Sequence, residues 1–197
     1  GEMISGIISE KLFRKWTAQL LAGPGRQVLA PQKKGEKNYQ FREMKKPEDF
    51  TWGYLPTISA PKKYFFPPLE VLYRYGKAGQ ELKAESDHTP RVLLGVRACD
   101  LKGISLMDEA FRLKYKDPNY FFRRESCRLV GVECHEPCDD RAFCQAAGSL
   151  TYQENADVMI TRLTGDRRRL AFRDDKVKGE LCGALPAMDP VAPADRN

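Results

Sequence analysis

The sequence predicts an α/β fold: a small, partly parallel sheet flanked by helices, with a Cys-rich loop at the C-terminal edge of the strands. Three observations lead there. Two short apolar runs, Val92-Leu93-Leu94 with Val96 and Leu129-Val130-Gly131-Val132, read as strands buried on both faces. Each run leads into a cysteine, Cys99 in one case and Cys134 in the other. Between them, Leu101, Ile104, Met107 and Phe111 fall at helical spacing. A helical crossover makes the two strands parallel and puts their C-terminal ends on one edge. Open α/β sheets hold their ligands at that edge.

The remaining elements follow in chain order. Residues 4–22 place Ile7, Ile8, Leu12, Trp16, Leu20 and Leu21 near helical spacing, and Gly23-Pro24-Gly25 stops the helix. Residues 26–44 read as two short strands around the turn Lys33-Lys34-Gly35-Glu36-Lys37. Residues 56–68 carry four of the thirteen prolines, and Pro67-Pro68 excludes a regular helix before it. Residues 69–76 are a short helix or strand ended by Gly76, and residues 80–90 a helix running into a loop. Residues 117–126 are a loop or short helix before the second apolar strand. Residues 138–150 form a Cys-rich loop with a turn of helix. Two further segments, 156–163 and 167–174, meet at a hairpin turn around Gly165-Asp166. Residues 1–184 are expected to be one domain, and the Pro/Ala-rich residues 185–197 a tail or linker.

Composition narrows the function classes. A chain of 197 residues buries a real core without disulfide staples. Nothing in it approaches the ~18 apolar residues of a membrane span, and the N-terminus is not a secretory signal. Six cysteines without such a signal argue against a disulfide framework and point to a cytoplasmic protein whose clustered thiols bind metal or do redox work. The net charge of +6 reads as a solvated, mildly basic surface or, more sharply, as a preference for an acidic partner or nucleic acid. The basic residues are spread along the chain apart from Arg167-Arg168-Arg169, which argues against nucleic-acid binding.

Three of the six cysteines, Cys134, Cys138 and Cys144, lie within eleven residues. The shared strand edge lets Cys99 join them. Four thiolates around one centre suit zinc or an iron–sulfur cluster. The spacing C-x₃-C-x₅-C plus a remote Cys fits neither a common zinc pattern nor the C-x₂-C-x₂-C run of simple ferredoxins, so spacing leaves both open. Local chemistry favours the cluster. Cys99 precedes a helix whose N-terminal N–H groups favour an anion, and Arg97 and Lys102 flank it. Pro137 keeps the loop extended, and Phe143 is placed to exclude water. His135 reads as a neighbour, not a ligand. Cys127 reads as a buried structural thiol and Cys182 as a free thiol in a Gly-bounded loop.

The strings SAPKKYFFPPLEVLYRY, LLGVRACDLKGISLMDEAF and VGVECHEPCDDRAFC, in that order, resemble a known family. They are similar to the N-terminal domain of iron–sulfur beta subunits of soluble hydrogenases and sulfhydrogenases, to one of the subunits of anaerobic sulfite reductase and to heterodisulfide-reductase-associated proteins. The resemblance runs from about Pro56 to Ile160. It implies an electron-relay subunit of anaerobic metabolism with a [4Fe-4S] cluster on Cys99, Cys134, Cys138 and Cys144. That cluster would be lost in air. The resemblance also implies other subunits of an oxidoreductase complex as partners, carrying a ferredoxin-like module or a flavin. Two departures stand out. Ala98 replaces a usual Pro, and the two C-x₂-C-x₂-C-x₃-C runs that usually follow are missing. The Pro/Ala-rich end from residue 185 is then expected to be a linker. The alternative from the residues alone is a structural zinc module that scaffolds a partner.

Overall fold

In the computed structural model, the described residues are 3–76, 82–113, 116–183, 188–192 and 195. Their centre is a seven-stranded sheet. Its strands are β1 (Ile4–Ser9), β2 (Gln27–Lys34), β3 (Asn38–Glu43), β6 (Arg91–Arg97), β7 (Cys127–Val132), β8 (Val158–Arg162) and β9 (Arg167–Phe172). The spatial order is β1-β9-β8-β7-β6-β2-β3. The inner four, β2-β6-β7-β8, are parallel, and antiparallel pairs close both edges. The expected partly parallel sheet is there, with Val92–Val96 and Leu129–Val132 as its central strands. The pair β4 (Tyr73–Tyr75) and β5 (Leu82–Ala84) stands apart as a two-stranded ribbon.

Side-chain alternation divides the core between the two faces. Helices α1 (Glu10–Ala22) and α4 (Asp175–Cys182) cover one face, where Phe13, Trp16 and Leu20 meet Val92, Leu94, Val130 and Leu181. The Trp16 indole N–H donates to the Leu181 carbonyl at 2.8 Å and ties the two helices together. Helices α2 (Ala98–Leu113) and α3 (Pro118–Glu125) cover the other face, where Leu101, Ile104, Tyr120 and Phe121 meet Leu93, Val96 and Leu129. Asp117 caps α3 by accepting from the Asn119 and Tyr120 N–H groups.

Gly95 interrupts the alternation. The register slips between Leu94 and Val96, so β6 holds one residue more than β7 at that point. Gly95 has φ +87, and a Cβ there would meet Phe50 at 2.6 Å. The bulge moves Val96 onto the α2 side with Leu93 and re-aims the end of the strand, a common device beside functional sites.

Several elements differ from expectation. The first six residues of the expected helix 4–22 are the edge strand β1. Hydrogen bonds to β9 outweigh their helical spacing, and Ser9 caps the helix by accepting from the Leu12 N–H. Residues 82–84 form a strand in place of the expected helix, because they pair with Tyr73–Tyr75. Helix α4 is an addition to the expected elements. Cys182 is a free thiol as expected, but it ends a helix and is buried in place of lying in a loop. Of the expected tail, residues 185–187, 193–194 and 196–197 lie outside the described residues. Asp189 exchanges backbone hydrogen bonds with Ile7 of β1, and Asp195 pairs with Arg167.

Candidate functional site

The strand order puts the C-terminal ends of β6, β7 and β8 side by side, and the candidate site lies there. Strand β6 passes into α2 with no intervening loop, so Cys99 falls in the first turn of the helix. Strand β7 ends at Val132, two residues before Cys134. The chain then needs a crossover to reach the parallel strand β8. Residues 133–157 supply it with turns alone and no α-helix. This crossover carries Cys134, Cys138 and Cys144.

All four expected cysteines line one cavity of about 340 Å³. Pro56, Arg97, Phe143 and Leu150 share its wall. Among the described residues, no group of three or more His, Cys, Asp or Glu side chains converges on a single metal-ion position. All six cysteines are free thiols.

The loop is tied to the β6–α2 segment by three side chains. Lys102 donates through Nζ to the carbonyls of Ala147 at 3.0 Å and Gly148 at 3.2 Å. Asn155 donates through Nδ2 to the Leu101 carbonyl at 2.9 Å. Arg97 donates through Nη1 to the Cys138 sulfur at 3.0 Å. Ser149 turns the loop back by donating its N–H to the Cys144 carbonyl at 2.8 Å. Lys102 thus anchors the loop backbone, in place of the direct charge on Cys99 that its position in the sequence suggests.

Arg97 is held from its other side. Its guanidinium lies 4.6 Å from the centroid of the Tyr54 ring, and the Tyr54 hydroxyl donates to the carbonyl of the bulge residue Gly95 at 2.7 Å. The bulge, the tyrosine and the arginine form one support for the Cys138 contact. Among the described residues, the buried Arg97 Nε has no hydrogen-bond partner. No sequence signal singles out Tyr54. Gly95 within an apolar strand is the visible sign of a bulge.

Electrostatics link the thiols to one another. Burial pushes the Cys99 thiol up to about 11, and Asp100, Cys134 and Cys138 add to the shift. Cys99 as a residue is exposed and lines the cavity. At this raised value the thiolate expected from the helix N-terminus is not favoured in the free thiol. Burial also raises Cys138, against the pull of Arg97, and Cys134 and Cys144 contribute to the rise. A cationic group among the four would reverse these penalties together.

The other sequence candidates separate from the site. Cys127 is buried at the start of β7, with its thiol pushed up to about 12 by burial. Cys182 packs with the α1 face, and its thiol is pushed up to about 11, again by burial. His135 lines a second cavity of about 190 Å³ on the far side of Arg97 and Cys134. Phe143 is 77% exposed on the cavity wall, so on its own it shields little from water.

The chain resembles the beta subunits of hydrogenases. A similar protein is the beta subunit of sulfhydrogenase 2 of Pyrococcus furiosus, 29% identical over 125 residues, which is 64% of this chain and 36% of that relative. The chain thus spans little more than a third of the relative's length. No family model matches the chain. No solved structure matches it either. Among the described residues, no helix is long and apolar enough to cross a membrane.

Proposed function

We propose that this chain is an iron–sulfur electron-transfer component of a multi-subunit oxidoreductase, of hydrogenase, sulfite reductase or heterodisulfide reductase type. Cys99, Cys134, Cys138 and Cys144 hold a [4Fe-4S] cluster. The observation that carries this reading is the single cavity lined by four thiols from two strand ends and one loop. Its volume of about 340 Å³ suits a group of several atoms better than one tetrahedral zinc, whose sulfurs close to ~2.3 Å from the ion. The similarity to a sulfhydrogenase beta subunit supports the same class.

The residues present fit such a group. Four thiols supply the ligands, and Arg97 supplies a cation that donates to one of the sulfurs. When bound, the cluster takes up and passes on single electrons. The chain's own residues do the rest. Tyr54 and the Gly95 bulge fix Arg97. Arg97 offsets negative charge at Cys138 and favours the reduced, more negative state. Lys102 and Asn155 hold the loop against α2, so the four sulfurs keep their spacing. No bond chemistry on a substrate is assigned to the chain. Residues 1–184 are the unit proposed to carry this role, in the cytoplasm of an anaerobically living cell. Its partners are other subunits bearing a ferredoxin-like module or a flavin.

Anaerobic reconstitution with iron and sulfide tests the reading. A brown protein with an EPR signal after reduction is expected, and Cys138→Ser should take up much less iron. Wild type that takes up no more iron than Cys138→Ser, or a colourless protein holding one tightly bound zinc, would replace the relay with a zinc scaffold.

A further inference from the structure

On the α2 face lies a groove of about 480 Å³ between the turn Pro61–Tyr64 and the middle of α2. Ala60, Phe66, Pro68 and Met107 give it apolar walls, and Lys62 and Lys63 add two ammonium groups. Apolar surface continues around it: Phe66 is 50% exposed, Ile58 60% and Leu106 57%. Such a patch, rimmed by charge, marks an interaction surface. Lys63 lies over the Tyr64 ring, 5.2 Å from its centroid, but neither groove lysine is neutralised by an ion pair. Among the described residues, neither Lys62 nor Lys63 has a carboxylate within ion-pair distance. Lys34 stands close enough to Lys63 for the two charges to repel. A positive surface of this kind attracts an anionic one. The groove shares helix α2 with the candidate site. Helix α2 contributes Met107 to the groove and carries Cys99 in its first turn.

We propose that this groove docks an acidic electron-carrier protein of ferredoxin type, with carboxylates on Lys34, Lys62 and Lys63 and an apolar side chain against Phe66 and Met107. The identification rests on the electron-transfer reading above. Without an electron to deliver or collect, an acidic docking face on the helix that carries Cys99 has no evident task. The opposite face of the sheet provides an internal control. Lys11 and Lys15 are exposed on α1, away from the groove, and reversing them changes net charge by the same amount.

The experiment measures binding of a fluorescently labelled plant-type [2Fe–2S] ferredoxin to the full chain, both metal-free and iron-loaded, by anisotropy. The expected result is binding that weakens steeply between about 0.02 M and about 0.5 M salt. The Lys62→Glu/Lys63→Glu double variant should bind about tenfold more weakly at low salt and lose most of the salt dependence. The Lys11→Glu/Lys15→Glu variant should stay within about twofold of wild type. Equal weakening by both double variants would reduce the effect to net charge and overturn the proposal. So would absence of binding by wild type. Capture of wild type, but not of the groove variant, by phosphatidylcholine vesicles holding about 30% phosphatidylserine, without ferredoxin binding, would reassign the groove to a lipid surface. The readout does not need the cluster. Failure of the chain to take up iron would count against the relay reading and leave the docking result standing by itself.

Discussion

Two crossovers of this sheet perform the same task by different means. Both return the chain from the C-terminal end of one parallel strand to the start of the next. Between β6 and β7 the return is made by α2 and α3, which bury Leu101, Ile104, Tyr120 and Phe121 against the strands. Between β7 and β8 it is made by residues 133–157, which bury only Ser149, Ala156 and Asp157. The first crossover is stabilised by apolar area removed from water. The second has almost none. It holds through a few hydrogen bonds to α2 and, on the proposed reading, through three of the four ligands of a cluster. Where a crossover gives up its helix, some other source of order has to replace the lost burial.

The comparison predicts unequal sensitivities. The largest effect is expected in the helical crossover. Leu101→Ala removes a fully buried side chain between α2 and β7, and it should cost about 2–5 kcal/mol in urea unfolding of the metal-free chain. A cost below about 1 kcal/mol would mean that α2 is not the element that fixes this face.

Next comes the junction of the two regions. Gly95→Ala forces a side chain into a left-handed backbone position and against Phe50. It should cost about 1–3 kcal/mol and should also weaken the Arg97 support through Tyr54. If iron uptake fell while stability did not, the bulge would serve the site alone.

A smaller effect is pH-dependent. Burial raises the Asp100 carboxyl to about 6 in the folded chain, with Arg97 and Lys62 pulling the other way. The folded state thus binds this proton more tightly than the unfolded chain, whose carboxyl titrates at ~3.9. The stability contributed in this way is full below about pH 4 and is lost as pH rises through about 6. Asp100→Asn should therefore raise the Tm of the metal-free chain at pH 7.5 and change it little at pH 4. Equal shifts at both values would contradict the buried carboxylate.

The smallest effect belongs to the loop. Phe143→Ser, at an exposed position, should change stability by no more than about 0.5 kcal/mol. In native metal-free protein a maleimide should modify the exposed or half-buried cavity cysteines before Cys127 and Cys182, which are buried.

Much of this is legible in the residues. The two apolar runs ending toward Cys99 and Cys134, with helical spacing between them, define the parallel core and the edge where the thiols meet. The hairpin turns at Gly35 and Gly165 are equally plain, both glycines having positive φ. What escapes a reading of the sequence depends on distant partners. Residues 4–9 have near-helical spacing and become a strand because β9 offers an edge. Tyr54 lies in a segment without periodicity and matters only through Gly95 and Arg97, which lie far along the chain. Lys102 looks like a charge for Cys99, while its reach of several methylenes takes it to the carbonyls of Ala147 and Gly148.

The central claim is that ligation, not burial, orders the second crossover, and hydrogen exchange tests it most directly. Amide exchange across residues 133–157 would be compared in metal-free wild type, iron- and sulfide-loaded wild type, and Cys138→Ser treated in the same way. Loading should slow exchange in this segment by at least about tenfold in wild type, leave α2 and α3 unchanged, and do nothing in Cys138→Ser. Equal exchange in loaded and metal-free wild type, with iron bound, would show that the loop does not depend on its thiols and would contradict the account.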